Sequence, residues 1–75
     1  MDIKKYYETI TDAWRFLRKY MEQIPMSEEK WQDETAEKIL FVESHPATER
    51  LARKLMASFE DELEHLDRAA KGIKP

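Results

Sequence analysis

The chain has 75 residues and no cysteine, with 39% charged residues, 41% apolar residues and a net charge of −3. A chain of this length forms one domain at most, and disulfides cannot stabilise it. The negative charge argues against a general attraction to phosphate or anionic lipid, and no apolar run approaches the roughly 20 residues of a membrane span. We therefore expect one all-α cytoplasmic domain over residues 1–75, with no membrane segment.

The first predicted helix covers residues 3–23. Asp2 is a favourable N-cap, because its carboxylate can accept hydrogen bonds from the free N–H groups of the first turn. Pro25 ends the helix, since the residue before a proline is pushed out of helical geometry. We expect the apolar stripe of this helix to face the core, with Tyr6, Trp14 and most of Tyr20 directed inward. The stripe consists of Ile3, Tyr6, Ile10, Ala13, Trp14, Leu17, Met21 and Ile24.

The second predicted helix covers residues 28–43. Ser27 is a favoured N-cap, and Glu28 and Glu29 suit the positive end of the helix dipole. One face of this helix is expected to meet the core. That face carries Trp31, Thr35, Ile39 and Val42.

The third predicted helix covers residues 46–71. Pro46 fits the first helical position, where its missing N–H is harmless, and Gly72 is a natural left-handed C-cap. Its expected core face carries Leu51, Leu55, Phe59, Leu63 and Leu66, flanked by Ala52, Met56 and Ala70. Because short connections make neighbouring helices antiparallel, the pattern predicts an up-down-up three-helix bundle, and association into a dimer stays open.

Four apolar residues fall outside these expected core faces or on their edges. Phe16 lies roughly 110° from the centre of the first stripe, and Leu40 and Phe41 point away from the Trp31 face. One interpretation is a partner-binding patch formed by these three residues together with Tyr20. The alternative is a helix end buried on several sides plus one exposed phenylalanine.

Acidic motifs raise the question of metal-dependent chemistry. The segments ETAE (34–37) and EHLD (64–67) match the E-x-x-E…E-x-x-D pattern of all-α nucleoside-triphosphate pyrophosphatases, which hold Mg²⁺ between converging carboxylates. We expect both segments on outward helix faces, where they cannot converge. Glu62 and His65 have the Glu-x-x-His spacing of di-iron bundles, but the motif occurs once and such a site needs two. The sequence therefore predicts no enzyme, cofactor, metal or small-molecule substrate.

A nucleic-acid interface is the alternative function. Arg50, Arg53 and Lys54 lie near the start of the third helix, after a tight turn, as in a helix-turn-helix protein. The net charge of −3 and the acidic segment EDELE (60–64) oppose binding to a phosphate backbone. Nucleic acid is therefore a less favoured partner than protein.

The pattern of KYYETITDAWRFLRKYM (5–21), a capped second helix and LMASFEDELEHL (55–66) resembles short helical proteins of phages and other mobile elements of Gram-positive bacteria. The resemblance implies a cytoplasmic accessory role, and some small acidic phage proteins act by binding host proteins. From the residues and the resemblance together, we expect a non-enzymatic helical protein–protein interaction module that binds a protein partner or a second copy of itself.

Overall fold

The structure, a computed structural model, describes residues 1–72, and within them it contains helices and no strand. Helix α1 spans Ile3–Met21, α2 spans Glu28–Glu43 and α3 spans Glu49–Ala70, with one 3₁₀ turn at Pro46–Thr48 leading into α3. The predicted all-α three-helix bundle is confirmed. Counting the 3₁₀ turn with α3, the helix ends lie within two residues of the predicted ones.

The helix ends follow the local signals in the sequence. The Asp2 carboxylate accepts a hydrogen bond from the Lys5 N–H at 3.3 Å, and the Ser27 hydroxyl accepts one from the Lys30 N–H at 3.3 Å. At the end of α3, Gly72 has a φ of +75°, a left-handed conformation that glycine adopts without a steric penalty. Capping residues therefore determine where these helices begin and where α3 ends.

Two long-range hydrogen bonds define the direction of the helices. The hydroxyls of Thr9 and Thr48 lie 2.6 Å apart, which joins the beginning of α1 to the beginning of α3. The Met26 N–H donates to the Asp67 carboxylate at 2.7 Å, which joins the segment after α1 to the end of α3. Helices α1 and α3 are therefore parallel, and α2, which connects the end of α1 to the beginning of α3, is antiparallel to both. The result is a slender bundle of 44 × 20 × 17 Å.

The core is small and lies between the three helices. Its Phe16 and Tyr20 rings are tilted by 54° with centroids 5.1 Å apart. Ala13 and Ala52 are almost fully buried, and such small side chains let two helices approach closely. The buried apolar residues are Ala13, Phe16, Tyr20, Met26, Phe41, Ala52, Met56 and Leu63.

The predicted inward face of α1 is wrong. Trp14 is 53% exposed and Tyr6 is 39% exposed, whereas Phe16 is 4% exposed. The face that meets the bundle instead runs along Thr9, Ala13, Phe16 and Tyr20, about 100° around the helix from the apolar stripe. Small residues in the first half of this face allow α3 to approach, and the bulkier stripe stays outside. Of the aromatic residues expected to face inward, Tyr20 does so.

In α2 and α3, too, the buried face lies further round the helix than the predicted core face. In α2, Glu34 and Phe41 are buried, whereas Ile39 and Leu40 are 57% and 63% exposed. In α3 the buried line runs along Ala52, Met56, Leu63 and Asp67. The other four leucine and phenylalanine residues expected in the α3 core are half-buried; they are Leu51, Leu55, Phe59 and Leu66.

Candidate protein-interaction surface

The main exposed apolar surface runs along α1. Its most exposed members are Ile3 at 72% and Tyr7 at 70%, followed by Ile10, Trp14 and Met21. Together with the half-buried Leu17 they form a single line, here named the α1 seam: Ile3, Tyr7, Ile10, Trp14, Leu17 and Met21. At a rise of 1.5 Å per residue, the seam is about 27 Å long.

The residues of the α1 seam are spaced alternately by four and three positions. This spacing is the heptad repeat of a coiled coil, in which apolar side chains of one helix fit between those of a facing helix. Among residues 1–72 of one chain, however, no helix covers the seam. The seam therefore has the pattern of a helix-packing face without a helix packed on it in the part of the chain that the structure describes.

Helix α2 lies on the flank of α1 away from the seam. Lys19 Nζ contacts Glu37 Oε1 at 2.6 Å, and His45 Nε2 lies 3.1 Å from Asp12 Oδ2. Asp12 and Lys19 are seven residues apart and so share one side of α1, roughly 180° from the centre of the seam. These polar contacts fix α2 on that side and leave the seam uncovered.

The apolar surface continues from the α1 seam towards α3. Glu60 on α3 faces α2, because its Oε1 lies 2.5 Å from Lys38 Nζ. The half-buried Leu51, Leu55 and Leu66 occupy the opposite flank of α3, which is the flank next to α1. Leu17 of the seam and Leu55 of α3 both pack against the core, at the contact between α1 and α3.

The large exposed hydrophobic residues are concentrated on one helix. Among residues 1–72, nine are exposed, six lie in the core once its two alanines are set aside, and six more are half-buried against the core. Scattered exposed hydrophobics are normal, but a contiguous apolar face on a small protein marks an interaction site. Six of the nine lie on one helix, α1.

The partner-binding patch predicted from the sequence does not form at the surface. Phe16, Tyr20 and Phe41 are at most 8% exposed, so they are core residues, and only Leu40 lies outside. The Phe41 ring also stacks on His45, with centroids 4.4 Å apart. The signal that sequence reasoning missed is the combination of the four-three spacing in the seam with small residues on the neighbouring face.

The basic residues of the helix-turn-helix hypothesis are exposed near the beginning of α3. Arg53 donates two hydrogen bonds to Glu49 Oε1, at 2.6 and 2.9 Å, so a carboxylate already holds its guanidinium group. Arg50 and Lys54 lie on the same turn. Binding of nucleic acid at these residues stays a prediction.

The acidic motifs are arranged differently from the expectation. Glu34 is fully buried, rather than outward, and Lys38 Nζ lies 3.3 Å from its Oε1 and 2.5 Å from Glu60 Oε1. Neither carboxylate oxygen of Glu34 accepts a hydrogen bond. Burial raises the pKa of Glu34 above its ordinary value, although the charge of Lys38 opposes the shift. Glu34 is therefore held beside an ammonium group in the core at a cost in solvation.

Asp67, the other buried acid of the motifs, has a structural role. It accepts hydrogen bonds from the Met26 N–H and from Lys71 Nζ, both at 2.7 Å, and from the Trp31 indole at 3.4 Å. Burial alone would raise the pKa of Asp67, but the hydrogen bonds from Lys71 and Met26 outweigh it and lower the pKa. The Asp67 carboxylate thus links the segment between α1 and α2 to the end of α3 by hydrogen bonds.

The acids of the two motifs do not converge on one point. Glu37 pairs with Lys19, Glu34 lies beside Lys38, and Asp67 pairs with Lys71. Among residues 1–72, no three histidine, aspartate or glutamate side chains are grouped so that they could hold a metal ion. The arrangement stabilises helix packing instead.

In the part of the chain that the structure describes, no helix is both long and apolar enough to cross a bilayer. Comparison of the chain with protein-family models, with curated proteins and with solved structures gives no match in any of the three.

Proposed function

We propose that the protein is a non-enzymatic interaction module that binds an amphipathic helix along the α1 seam. The observation that carries this proposal is the heptad spacing of the exposed residues Ile3, Tyr7, Ile10, Trp14 and Met21. Side chains at this spacing fit between those of one facing helix, so the chemistry expected of the partner is a second apolar stripe with the same repeat.

The setting proposed for this module is an accessory role in the cytoplasm. The resemblance of residues 5–21 and 55–66 to short helical proteins of phages and mobile elements supports it. A small helical protein with one apolar docking face can act by covering a surface of another protein, without chemistry of its own. The seam is the part of the molecule suited to that action.

The test is capture of proteins from an extract by immobilised wild type and by two variants. Trp14→Glu places a carboxylate in the middle of the α1 seam, where burial against a partner would leave the charge unpaired. Leu40→Glu is the matched control, because Leu40 is also a large exposed residue but lies on α2, outside the seam. Both variants should fold, since neither side chain belongs to the core.

The proposal predicts that wild type and Leu40→Glu retain the same protein, which can be a second copy of the chain, and that Trp14→Glu loses it. Retention by all three proteins, or by none, would contradict a docking function of the seam. Circular dichroism of the two variants checks that each keeps the helical content of wild type.

A further inference from the structure

We infer that the helix bound by the α1 seam is α1 of a second copy of this chain, packed antiparallel about a two-fold axis. The inference rests on the proposed function and adds the identity and direction of the partner helix. Two properties of the seam support it: the area that the seam offers to a partner and the order of its large and small side chains.

The area of the seam is close to what a stable dimer needs. Ile3, Tyr7, Ile10, Trp14 and Met21, together with Tyr6 beside them, are between 39% and 72% exposed. With about 200 Å² of accessible surface for each large side chain, the value for an aromatic ring, these fractions correspond to at most about 650 Å². A standard specific interface buries about 800 Å² per partner, so the exposed residues of the seam supply most of that area. A two-fold dimer uses the same patch twice, so one exposed face is sufficient.

The order of side chains along the seam favours an antiparallel partner. One set of alternate positions carries the bulkier residues Tyr7, Trp14 and Met21, and the other set carries branched aliphatic residues. In an antiparallel pair each layer combines one position of each set, so that a large side chain meets a smaller one. The layers are Ile3 with Met21, Tyr7 with Leu17 and Ile10 with Trp14, each formed twice by the two-fold axis.

A parallel pair lacks this balance. Each residue would then face its own copy, which places the two Trp14 rings in one layer and the two Tyr7 rings in another. The other layers would hold pairs of isoleucine at residues 3 and 10 and a pair of leucine at residue 17. Alternating overfilled and underfilled layers cost packing energy, because interiors tolerate neither voids nor excess volume.

The absence of cysteine makes the direction of the partner helix directly measurable. The variants Ile3→Cys and Met21→Cys are prepared separately, one carrying a tag that changes its mass, then mixed and oxidised. Residues 3 and 21 lie about 27 Å apart along one helix. In a parallel pair the cysteines of the two different variants would be separated by about this distance, far beyond the ~7 Å Cα separation that a disulfide can bridge. A third variant, Glu8→Cys, has an exposed thiol outside the seam and reports random cross-linking.

The antiparallel dimer predicts a disulfide between the Ile3→Cys and Met21→Cys chains, formed well ahead of links within either variant or with Glu8→Cys. Links that join only identical variants would overturn the antiparallel arrangement. Light scattering gives the mass of wild type, expected at twice the 9.0 kDa of one chain. A wild type that is monomeric at high micromolar concentration would overturn the second copy as partner, whereas Trp14-dependent capture of a different protein would still uphold the proposed function.

Discussion

The rings of Phe16 and Tyr20 pack against each other inside the bundle, with centroids 5.1 Å apart. Two positions before Phe16 along the same helix lies Trp14, and residues two apart on an α-helix point in nearly opposite directions. Burial of Phe16 therefore turns Trp14 outwards. Because Phe16 occupies the core, the apolar stripe of α1 lies at the surface, where a partner can contact it.

The first prediction concerns the core position of Phe16. Phe16→Ala should lower the free energy of unfolding by about 3–5 kcal/mol, because it removes a buried ring and leaves a cavity. Tyr7→Ala removes an aromatic ring that is 70% exposed, and at concentrations too low for association it should change stability by about 0.5 kcal/mol at most. Urea unfolding followed by circular dichroism measures both. A larger loss of stability in Tyr7→Ala than in Phe16→Ala would mean that Tyr7, and not Phe16, faces the core.

The second prediction concerns the buried carboxyl of Glu34. Its pKa is raised above the ordinary value of 4.5, so the folded state keeps this proton to a higher pH than the unfolded state. The contribution of Glu34 to stability is therefore present below pH 4.5 and is lost as pH rises towards the raised pKa. Glu34→Gln cannot ionise, and Lys38 keeps Glu60 as its partner, so the variant should be more stable than wild type at neutral pH, by about 1 kcal/mol.

Unfolding of Glu34→Gln and wild type at a series of pH values tests this sign. The difference between the two proteins should shrink as the pH falls. Glu62→Gln, a change of an exposed acid on α3, is the control and should follow wild type throughout. A Glu34→Gln variant that is less stable than wild type at neutral pH would show that the ion pair with Lys38 outweighs the cost of burial.

The third prediction concerns Asp67 and has the opposite sign. The pKa of Asp67 is lowered from 3.8, so its contribution to stability is present above that value and is lost as pH falls through the lowered pKa. Asp67→Asn should destabilise the protein at neutral pH by about 1–3 kcal/mol, because it weakens hydrogen bonds from Lys71 and from the Met26 N–H. Thermal unfolding at neutral and strongly acidic pH measures the effect. The destabilisation should be smaller in acid; an equal loss at both pH values would mean that charge plays no part in it.

The fourth prediction separates the interaction module from a helix-turn-helix protein. Arg50→Glu combined with Arg53→Glu should alter stability by about 1 kcal/mol at most, since exposed ion pairs contribute little. Wild type should show no binding to duplex DNA that depends on these residues, measured by fluorescence anisotropy over a range of salt. Lys4→Glu with Lys5→Glu gives the same charge change at exposed positions of α1. Salt-sensitive binding lost only in the Arg50 and Arg53 variant would establish the nucleic-acid function instead.

Local signals in the sequence were sufficient to predict the helices. Asp2, Ser27 and Gly72 each act within one turn of the helix end that they determine, so no knowledge of the tertiary fold is needed to interpret them. Pro25 and Pro46 likewise mark the two connections from the sequence alone. The number, order and approximate bounds of the helices, and with them the bundle, follow from such residues.

The orientation of each helix about its own axis was not predictable in the same way. Helix α1 has two apolar faces, and periodicity finds both without showing which one meets α3. The choice depends on Ala13 and Ala52, whose small side chains allow a close approach of the two helices. In α2 the charged Glu34 and Lys38 face inward because Glu60, 22 positions further along the chain from Lys38, meets the Lys38 ammonium group. Such non-local pairing has no signature in either segment alone.

The solvent exposure of Trp14 tests most directly whether a second copy of the chain covers the α1 seam. In a Trp31→Phe variant Trp14 is the one remaining tryptophan, and its quenching by acrylamide is followed from nanomolar to high micromolar protein. The reciprocal Trp14→Phe variant reports the half-buried Trp31, whose quenching should not depend on concentration. We expect Trp14 to be readily quenched in dilute solution and to become shielded as the chains associate. A Trp14 shielded at every dilution would place it in the core of the single chain, and one that stays fully accessible at high concentration would show that a second copy does not cover the α1 seam.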